Sequence, residues 1–464
     1  MEMTTPIHPD RTSAIVSDNL KRIRLLAIAG TLLKSPSQRD RVLGLLENRQ
    51  RWGLTPPFLM LAVHDDEEAE AATRFAADYG NMADEICIVR QNGHNETVGN
   101  AIQLFRQHMG ANDVFAIKRQ CLFLTRRGGK GKPVFISPFL GGAGTTCGEW
   151  TRPMLRNKDG TVVKGFMKAS VAIGLCTVEC PYCYLGMPYT DGMDVALNWE
   201  DLRDELAAKW RGYAYPINFG ETSGLVEYDE WFAKTSGSGS IIQYVIDACA
   251  DARVVPFFLT KIRYPRYLQF RGKVQVGISL MPEPIREWLA PNGSPADELL
   301  ESLAWAWRSG AVDPVIRLTV IWNQREIYQE FLDRIVNTLG TTGWRLTLDI
   351  LRFTPSTASI IAKRYPEAAS AFAEEISPGS GDSLAALARS ARSAKEHVKK
   401  IRPPAERQAE IFIWFRKQLN ARGCREVLLT PCKGDPDELT PLARLKIISA
   451  MPCACYAASG RSAR

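Results

Sequence analysis

Histidine is scarce in this chain of 464 residues, which contains only five. A zinc or non-haem iron site built mainly from imidazole is therefore disfavoured. Long apolar runs are missing too, since no stretch approaches the ~20 residues that a membrane-spanning helix needs. The N-terminal residues have no apolar core behind a basic head, so no signal peptide is expected. The sequence predicts a cytoplasmic protein that does not enter a membrane.

Phosphate-binding loops are also lacking in the first 110 residues, where neither G-x-G-x-x-G nor G-x-x-x-x-G-K-[ST] occurs. Nothing in that part of the sequence supports nucleotide binding. The eleven cysteines form an odd number, which fits a disulfide framework poorly. Without an export signal they are expected to be reduced thiols. The net charge of +7 is compatible with an anionic partner such as nucleic acid but does not require one.

Alternating strand and helix patterns begin near residue 166 and continue to about residue 350. The order of these units predicts a parallel sheet with right-handed crossover connections. We therefore expect an α/β fold whose core is a partial (β/α)6 barrel of the TIM type, with fewer than the full eight units. The six predicted strands cover 167–175, 214–221, 254–261, 273–280, 313–321 and 344–353.

The pattern divides the chain into four regions. An N-terminal α/β lobe is predicted for 1–110 and a linking region of short strands and turns for 111–165. The (β/α)6 core follows at 166–360, and a mostly helical C-terminal extension occupies 361–464. One further strand is predicted near the end of the chain, at 425–432.

Three cysteines lie close together in the segment GLCTVECPYCYLGM, at Cys176, Cys180 and Cys183. The segment follows the first predicted core strand, and parallel α/β folds carry their reactive sites at the carboxyl ends of strands. Zinc would require a fourth protein ligand, and none is evident nearby. A [4Fe–4S] cluster usually takes four thiolates, so three would leave one iron open. Iron–sulfur ligation is the favoured interpretation; buried thiols, or a zinc site completed from elsewhere, are the alternatives.

The C-x3-C-x2-C spacing, with an aromatic residue before the last cysteine, resembles the motif of the radical S-adenosylmethionine (SAM) enzymes. Further segments are similar to spore photoproduct lyase and its non-spore relatives. They are CPYCYLGMPY, INFGETSGLVEYDEW, FFLTK, VQVGISLMPEPI and GSPADELLESLAWAWRSGA, in this order. The resemblance covers about 115–350, and the N-terminal 110 residues and the tail match less clearly.

This resemblance implies an enzyme in which SAM chelates the open iron of a [4Fe–4S] cluster. An electron donor such as flavodoxin or ferredoxin would reduce the cluster, and cleavage of SAM would give a 5′-deoxyadenosyl radical. DNA or a nucleobase is the implied substrate, in lesion repair or modification. A radical SAM enzyme acting on a peptide or small metabolite is the alternative, and a non-enzymatic iron–sulfur or zinc protein is the second.

The resemblance also assigns SAM contacts at successive strand ends. Glu221 and Ser223, after the second core strand, would hold the SAM ammonium group. A carboxylate and a hydroxyl suit this task, because both accept hydrogen bonds from a cation. Lys261 would pair with the SAM carboxylate, and Ser279 would contact the same group or the ribose. Tyr182 would lie beside the cofactor.

The match departs from the family at the hydrogen donor. Tyr182 and Tyr184, which correspond to tyrosines of the hydrogen-transfer relay, are present. The donor cysteine of the true lyase is replaced by Glu221, whose O–H is a poor hydrogen-atom donor, and Gly224 stands where an aspartate is expected. Another substrate or another donor would be needed. The candidate donors are Cys147, Cys249, Cys424, Cys432, Cys453 and Cys455.

Two features leave alternatives open. The last four cysteines, Cys424, Cys432, Cys453 and Cys455, could hold a second metal site, although their spacing favours ordinary buried or exposed thiols. The basic stretch KRQCLFLTRRGGKGK at 118–132 could follow a phosphate backbone, although a solvated hairpin is favoured. Loss of DNA binding on charge reversal of Arg126, Arg127, Lys130 and Lys132 would support a DNA substrate.

Overall fold

A computed structural model of the chain describes residues 21–449, with gaps, as a mixed α/β protein. In this part of the chain, no helix is both long enough and apolar enough to cross a bilayer. The residues between 21 and 449 that are not described are 52, 55–56, 111–112, 129–134, 140–153, 157–161, 165, 175, 177, 179, 184–192, 221–224, 228, 230–238, 394–400 and 433–435.

The strands belong to two large sheets and one hairpin. In chain order they are β1 (Leu25–Ala29), β2 (Phe58–Val63), β3 (Glu85–Arg90), β4 (Cys121–Thr125), β5 (Ile136–Phe139), β6 (Met154–Arg156), β7 (Val162–Lys164), β8 (Phe166–Ala169), β9 (Ala172–Gly174), β10 (Met193–Ala196), β11 (Ile217–Asn218), β12 (Pro256–Thr260), β13 (Gln275–Leu280), β14 (Val312–Val320), β15 (Arg345–Ile350) and β16 (Leu428–Pro431).

The helices lie mainly between strands and in the C-terminal region. They are α1 (Gly30–Leu33), α2 (Pro36–Arg51), α3 (Asp66–Tyr79), α4 (His94–Met109), α5 (Val114–Lys118), α6 (Trp199–Glu205), α7 (Ile241–Ala252), α8 (Glu283–Leu289), α9 (Ala296–Arg308), α10 (Ile327–Leu339), α11 (Pro355–Arg364), α12 (Pro366–Ile376), α13 (Leu384–Ser393), α14 (Ala405–Ala421) and α15 (Pro436–Arg444).

The first sheet contains six strands in the order β3-β2-β1-β4-β10-β9. All neighbours are parallel except β9, which runs antiparallel to β10. The central strand β2 (FLMLAV) is buried along its whole length, as expected for a parallel sheet covered on both faces. Because β4, β9 and β10 join this sheet, it draws strands from beyond residue 110, where the N-terminal lobe was expected to end.

The second sheet contains eight strands in the order β16-β15-β14-β13-β12-β11-β8-β5. All neighbouring strands of this sheet are parallel except β5, which runs antiparallel to β8. The core strands predicted from the sequence therefore lie side by side in chain order, followed by the extra strand near the end of the chain. Closure of this sheet into a partial barrel stays a prediction.

The first predicted core strand was wrong in its extent. The sequence predicts one strand over 167–175, but the structure divides it at Ser170 into β8 in the second sheet and β9 in the first. The backbone changes partners there: Ser170 N–H donates to Phe135 C=O at 2.8 Å, and Val171 C=O accepts from Ala196 N–H at 2.8 Å. The apolar pattern indicates a buried strand without indicating which sheet buries each half.

Close backbone packing at the end of β11 requires a glycine. A Cβ atom on Gly220 would lie 2.7 Å from the carbonyl oxygen of Leu259 and 2.9 Å from its nitrogen. Both neighbours are backbone atoms of β12 and cannot rotate away. We expect Gly220→Ala to lower the free energy of unfolding by about 1–3 kcal/mol, the usual cost of overpacking, which thermal or urea unfolding would measure.

Gly99 in α4 provides the matched control, because an added Cβ would meet nothing within 4 Å. Gly99→Ala should raise stability by up to about 1 kcal/mol, through helix propensity. Equal stability of the Gly220→Ala and wild-type proteins would contradict the close approach of β11 to β12.

Candidate functional site

One face of the second sheet packs on the core, and the other is polar. Along β13, β14 and β15, alternate side chains such as Ile278, Leu318 and Leu348 belong to the large hydrophobic core. The remaining side chains point the other way, because successive residues of a strand face opposite sides of a sheet. We call this side the polar face. Near the carboxyl ends of the strands it carries Ser279, Arg317, Thr319 and Asp349.

An ion pair joins neighbouring strands on the polar face. The Nε and Nη2 atoms of Arg317 lie 3.0 and 2.7 Å from Oδ2 of Asp349. In the backbone register, Arg317 stands opposite Ser279, and Asp349 stands opposite Thr319. The arginine charge is therefore compensated within the sheet, which lowers the cost of burying it.

Lys261, directly after β12, connects the polar face to the cysteine segment. Its Nζ donates a hydrogen bond to Oγ of Ser279. The same Nζ lies 5.7 Å from the ring centroid of Tyr182, which places the ammonium group over the aromatic ring. Lys261 and Ser279 also line a small pocket, together with Arg286 and apolar side chains such as Met281 and Leu299.

The cysteine segment follows β9 and precedes β10, both in the first sheet, and Tyr182 reaches Lys261 at the end of the second sheet. Cys180 is buried, while Cys176, Tyr182 and Cys183 are partly buried against the large hydrophobic core. The Cys176 thiol donates to Oε1 of Glu227 at 2.9 Å. A tight turn closes the segment, since Cys183 N–H donates to Cys180 C=O at 3.0 Å.

Burial favours the protonated form of the thiols in the cysteine segment. It raises the pKa of the Cys176 thiol well above its usual value, and the Glu227 carboxylate adds to this effect. Burial likewise raises the pKa of Cys180 to about 12, although the Lys261 charge opposes the shift. A metal ion that binds here must displace protons from these thiols.

Two buried hydroxyls on this site lack partners of good geometry. The hydroxyl of Tyr182 and Oγ1 of Thr319 have no hydrogen-bond partner among the described residues, although the two groups approach each other. Thr319 is fully buried. Burial raises the pKa of Tyr182, and the nearby Cys180 and Asp349 raise it further. Unpaired buried polar groups are costly, so this site is suited to a ligand that supplies hydrogen bonds.

The donor chemistry fits a three-thiolate centre, because Cys176, Cys180 and Cys183 lie on one short segment and interact electrostatically with one another. Their side chains are not yet arranged around a metal: among the described residues, no three Cys, His, Asp or Glu side chains converge as metal coordination requires. Rotation of the thiols would accompany binding.

The structure brings together five of the residues selected from the sequence. They are Cys176, Cys180, Tyr182, Lys261 and Ser279. Cys183 lies on the same turn, whereas Tyr184, Glu221 and Ser223 fall outside the described residues.

Sequence reasoning missed Glu227 and the ion pair of Arg317 with Asp349. The signal for the ion pair was the alternation of polar and apolar residues in IRLTV and RLTLDI, which predicts strands with one polar face. Glu227 had no comparable signal, because its contact with Cys176 joins residues far apart in the chain.

Proton release gives a direct test of this electrostatic description. Zinc added to the iron-free protein should displace about three protons, one from each thiol. Each displaced proton raises the zinc affinity about tenfold for every unit of increase in pH. Three displaced protons should therefore raise it about 1,000-fold per pH unit. Titration in buffers of different ionisation enthalpy would count the protons. Zinc affinity that is independent of pH would contradict protonated thiols.

Arg126 and Arg127, two of the three arginines of the basic stretch, have partners within the fold. Nη2 of Arg127 lies 2.9 Å from Oδ1 of Asp194, and its Nε donates to Ser170 C=O at 3.2 Å. Nη2 of Arg126 lies 3.2 Å from Oδ2 of Asp201. Arg127 thus stabilises the crossing between the sheets, while Lys130 and Lys132 lie outside the described residues.

Comparisons with known proteins identify a similar fold. A scan against models of known families found no match, and neither did a search of curated proteins. Solved structures of spore photoproduct lyase do match. A variant with bound AdoMet and dinucleoside spore photoproduct has a TM-score of 0.55 and 14% identity, covering 88% of this chain and 98% of that chain.

Two other matching structures give the same result. Spore photoproduct lyase complexed with dinucleoside spore photoproduct has a TM-score of 0.54, and a cysteine-to-serine variant of the lyase has a TM-score of 0.52. Both are 14% identical to this chain, and the alignments cover 88% of it and 98% of the lyase chain. Similarity at this level shows a shared fold.

Proposed function

We propose that this protein is a radical SAM enzyme in which Cys176, Cys180 and Cys183 hold a [4Fe–4S] cluster. The observation that carries the proposal is the meeting of the cysteine segment with Lys261 at the carboxyl edge of a parallel sheet. The fold shared with spore photoproduct lyase structures, one with bound AdoMet, supports it. When bound, the reduced cluster supplies the electron that cleaves SAM to a 5′-deoxyadenosyl radical.

The side chains of this chain would bind SAM and shield it from water. Lys261 offers a positive charge for the SAM carboxylate, and Ser279 orients that charge through its hydrogen bond. Glu221 and Ser223 would accept hydrogen bonds from the SAM ammonium group. The buried surroundings of Cys180 and Thr319 would exclude water from the reacting atoms.

DNA or a nucleobase is the proposed substrate, in lesion repair or modification. Two matching lyase structures contain dinucleoside spore photoproduct. The net charge of +7 is favourable for approach to a nucleic acid. Anaerobic incubation with SAM and dithionite tests the enzymatic part: the protein should form 5′-deoxyadenosine, and its absence from the reduced, cluster-loaded protein would overturn the proposal.

A metal-binding protein without radical chemistry is the second candidate, and one contact favours it. The Glu227 carboxylate lies 2.9 Å from the Cys176 sulfur, within reach of a metal held by the three thiols. Three thiolates and a carboxylate would complete a tetrahedral zinc site. In that case no coordination position would be left for SAM.

Charge reversal of two of the three lysines of the basic stretch tests the proposed DNA substrate. Lys130→Glu with Lys132→Glu should weaken DNA binding and lower the salt slope of the affinity by about 1 per lysine. Fluorescence anisotropy with a labelled duplex at several salt concentrations would measure both effects. Arg127 is left unchanged, since its ion pair belongs to the fold.

The matched control reverses Lys209 and Arg211, which are exposed on another part of the chain. It carries the same change in net charge and should retain the wild-type salt slope. Equal losses in both double variants would indicate a general effect of charge and would remove the support for a DNA-binding segment.

A further inference from the structure

A cysteine from the C-terminal region lies at the carboxyl end of the last strand of the second sheet. Pro431 of β16 pairs with Leu348 of β15 in the parallel register. The pairing continues for one more residue, since Cys432 N–H donates to Leu348 C=O at 2.8 Å. Cys432 therefore stands beside Asp349, on the neighbouring strand.

The alternation of side chains places Cys432 on the polar face. Leu429 belongs to the large hydrophobic core, whereas Thr430 faces the other way and contacts Thr347, with 2.9 Å between their hydroxyl oxygens. Cys432, two residues after Thr430, shares its side of the sheet. It is 5% exposed, and within the described residues it is not a member of the hydrophobic core clusters.

The surroundings of Cys432 are those of a ligand site. Thr319, Asp349 and Cys432 form a row across three neighbouring strands. Oγ1 of Thr319 is fully buried, and neither it nor the nearby hydroxyl of Tyr182 has a hydrogen-bond partner of good geometry in the described part of the chain. The row thus ends where the cysteine segment meets the sheet.

The other described candidate thiols are elsewhere. Cys249 in α7 and Cys424 after α14 are both fully buried in the large hydrophobic core. Cys147, Cys453 and Cys455 lie outside the described residues. Of the candidate donors that the structure describes, Cys432 alone lies outside the hydrophobic core clusters and is placed on the polar face by the strand register.

We propose that the thiol of Cys432 donates a hydrogen atom to carbon radicals formed in this site. This inference rests on the proposed function. The S–H bond, weaker than the C–H bond it forms, gives one proton and one electron to the carbon, and a thiyl radical remains. One electron from the low-potential donor that reduces the cluster, with one proton from solvent, restores the thiol.

Isotope transfer tests the proposal without an identified substrate. The cluster-loaded protein is incubated with SAM and dithionite in deuterium oxide, where the thiol becomes S–D. Mass spectrometry then gives the deuterium content per molecule of 5′-deoxyadenosine formed. The wild-type and Cys249→Ala proteins should transfer deuterium to the methyl group, and Cys432→Ala should lose most of this transfer. Cys432→Ser should lose it as well, because a hydroxyl is a poor hydrogen-atom donor.

The outcomes separate this inference from the proposed function. Formation of 5′-deoxyadenosine by the wild-type protein reports on the proposed function alone. If the product forms but carries no deuterium, or carries as much in Cys432→Ala as in the wild type, the inference is overturned. Loss of deuterium in Tyr182→Phe with full transfer in Cys432→Ala would also overturn it, since the phenol would then be the donor.

A crosslink in the iron-free protein tests the placement independently. A short thiol-to-thiol crosslinker should join Cys432 to the cysteine of an Asp349→Cys variant, because the two side chains share the polar face. The matched control is Leu348→Cys, whose side chain lies on the core side. Peptide mapping would identify the crosslinked peptides in both variants. A crosslink in Leu348→Cys but not in Asp349→Cys would overturn the placement of Cys432 on the polar face.

Discussion

Replacing Cys180 with serine should reduce bound iron and sulfide to background after anaerobic reconstitution, and with them all formation of 5′-deoxyadenosine. A serine hydroxyl is a weaker ligand for iron than a thiolate, and only two thiols of the segment would remain. Cys180 is the most informative of the three positions, because it is buried and lies within the electrostatic reach of Lys261. Iron and sulfide analysis with an optical spectrum would measure the loss.

Cys87→Ser is the control for this variant. Cys87 lies partly exposed on β3, in the first sheet. Its replacement removes one thiol from the chain but none from the proposed site, so full cluster content and full SAM cleavage are expected. A Cys180→Ser protein that assembles the cluster as the wild type does would rule out this cysteine segment as the ligand set.

Replacing Lys261 with methionine should weaken SAM binding by about 10- to 100-fold, the equivalent of one lost charge-assisted hydrogen bond. Methionine keeps the length of the side chain and removes only the charge that would pair with the SAM carboxylate. Cluster content should be retained, since Lys261 is no ligand. Equilibrium dialysis with labelled SAM on the loaded protein gives the affinity directly.

Two further variants make this result specific. Lys273→Met, at an exposed position before β13, should bind SAM as the wild type does. Ser279→Ala removes one neutral hydrogen bond of about 1 kcal/mol and should lower the affinity by about fivefold. Unchanged SAM binding by Lys261→Met would place the SAM carboxylate elsewhere.

The order of the second sheet could be predicted from the sequence because its rules are local. Each strand was recognised by an apolar run, and each crossover by a helical pattern closed by glycine, as at Gly310 and Gly340. Consecutive parallel strands then tend to be neighbours. The division at Ser170 could not be predicted, because pairing with Phe135 on one side and Ala196 on the other depends on distant parts of the chain.

The same limit applies to the site. The spacing of Cys176, Cys180 and Cys183 is a local signal, and the strand-end positions of Lys261 and Ser279 suggest nearby side chains. The contact of Tyr182 with Lys261 joins elements separated by several strands and helices, so only the folded chain reveals it.

The position of Cys432 depends even more on the folded chain. Its strand lies after the helical C-terminal region yet adds to the edge of a sheet begun far earlier. No sequence pattern indicates that this cysteine, rather than Cys249 or Cys424, reaches the polar face.

The proposed chemistry requires a coordination position that stays open for SAM, and Mössbauer spectroscopy of protein reconstituted with ⁵⁷Fe measures whether it is open. We expect a [4Fe–4S] spectrum in which one of the four irons changes its isomer shift when SAM is added. Zinc in place of the cluster, or a spectrum that SAM leaves unchanged because Glu227 or a fourth thiolate occupies that position, would rule out the proposed radical chemistry.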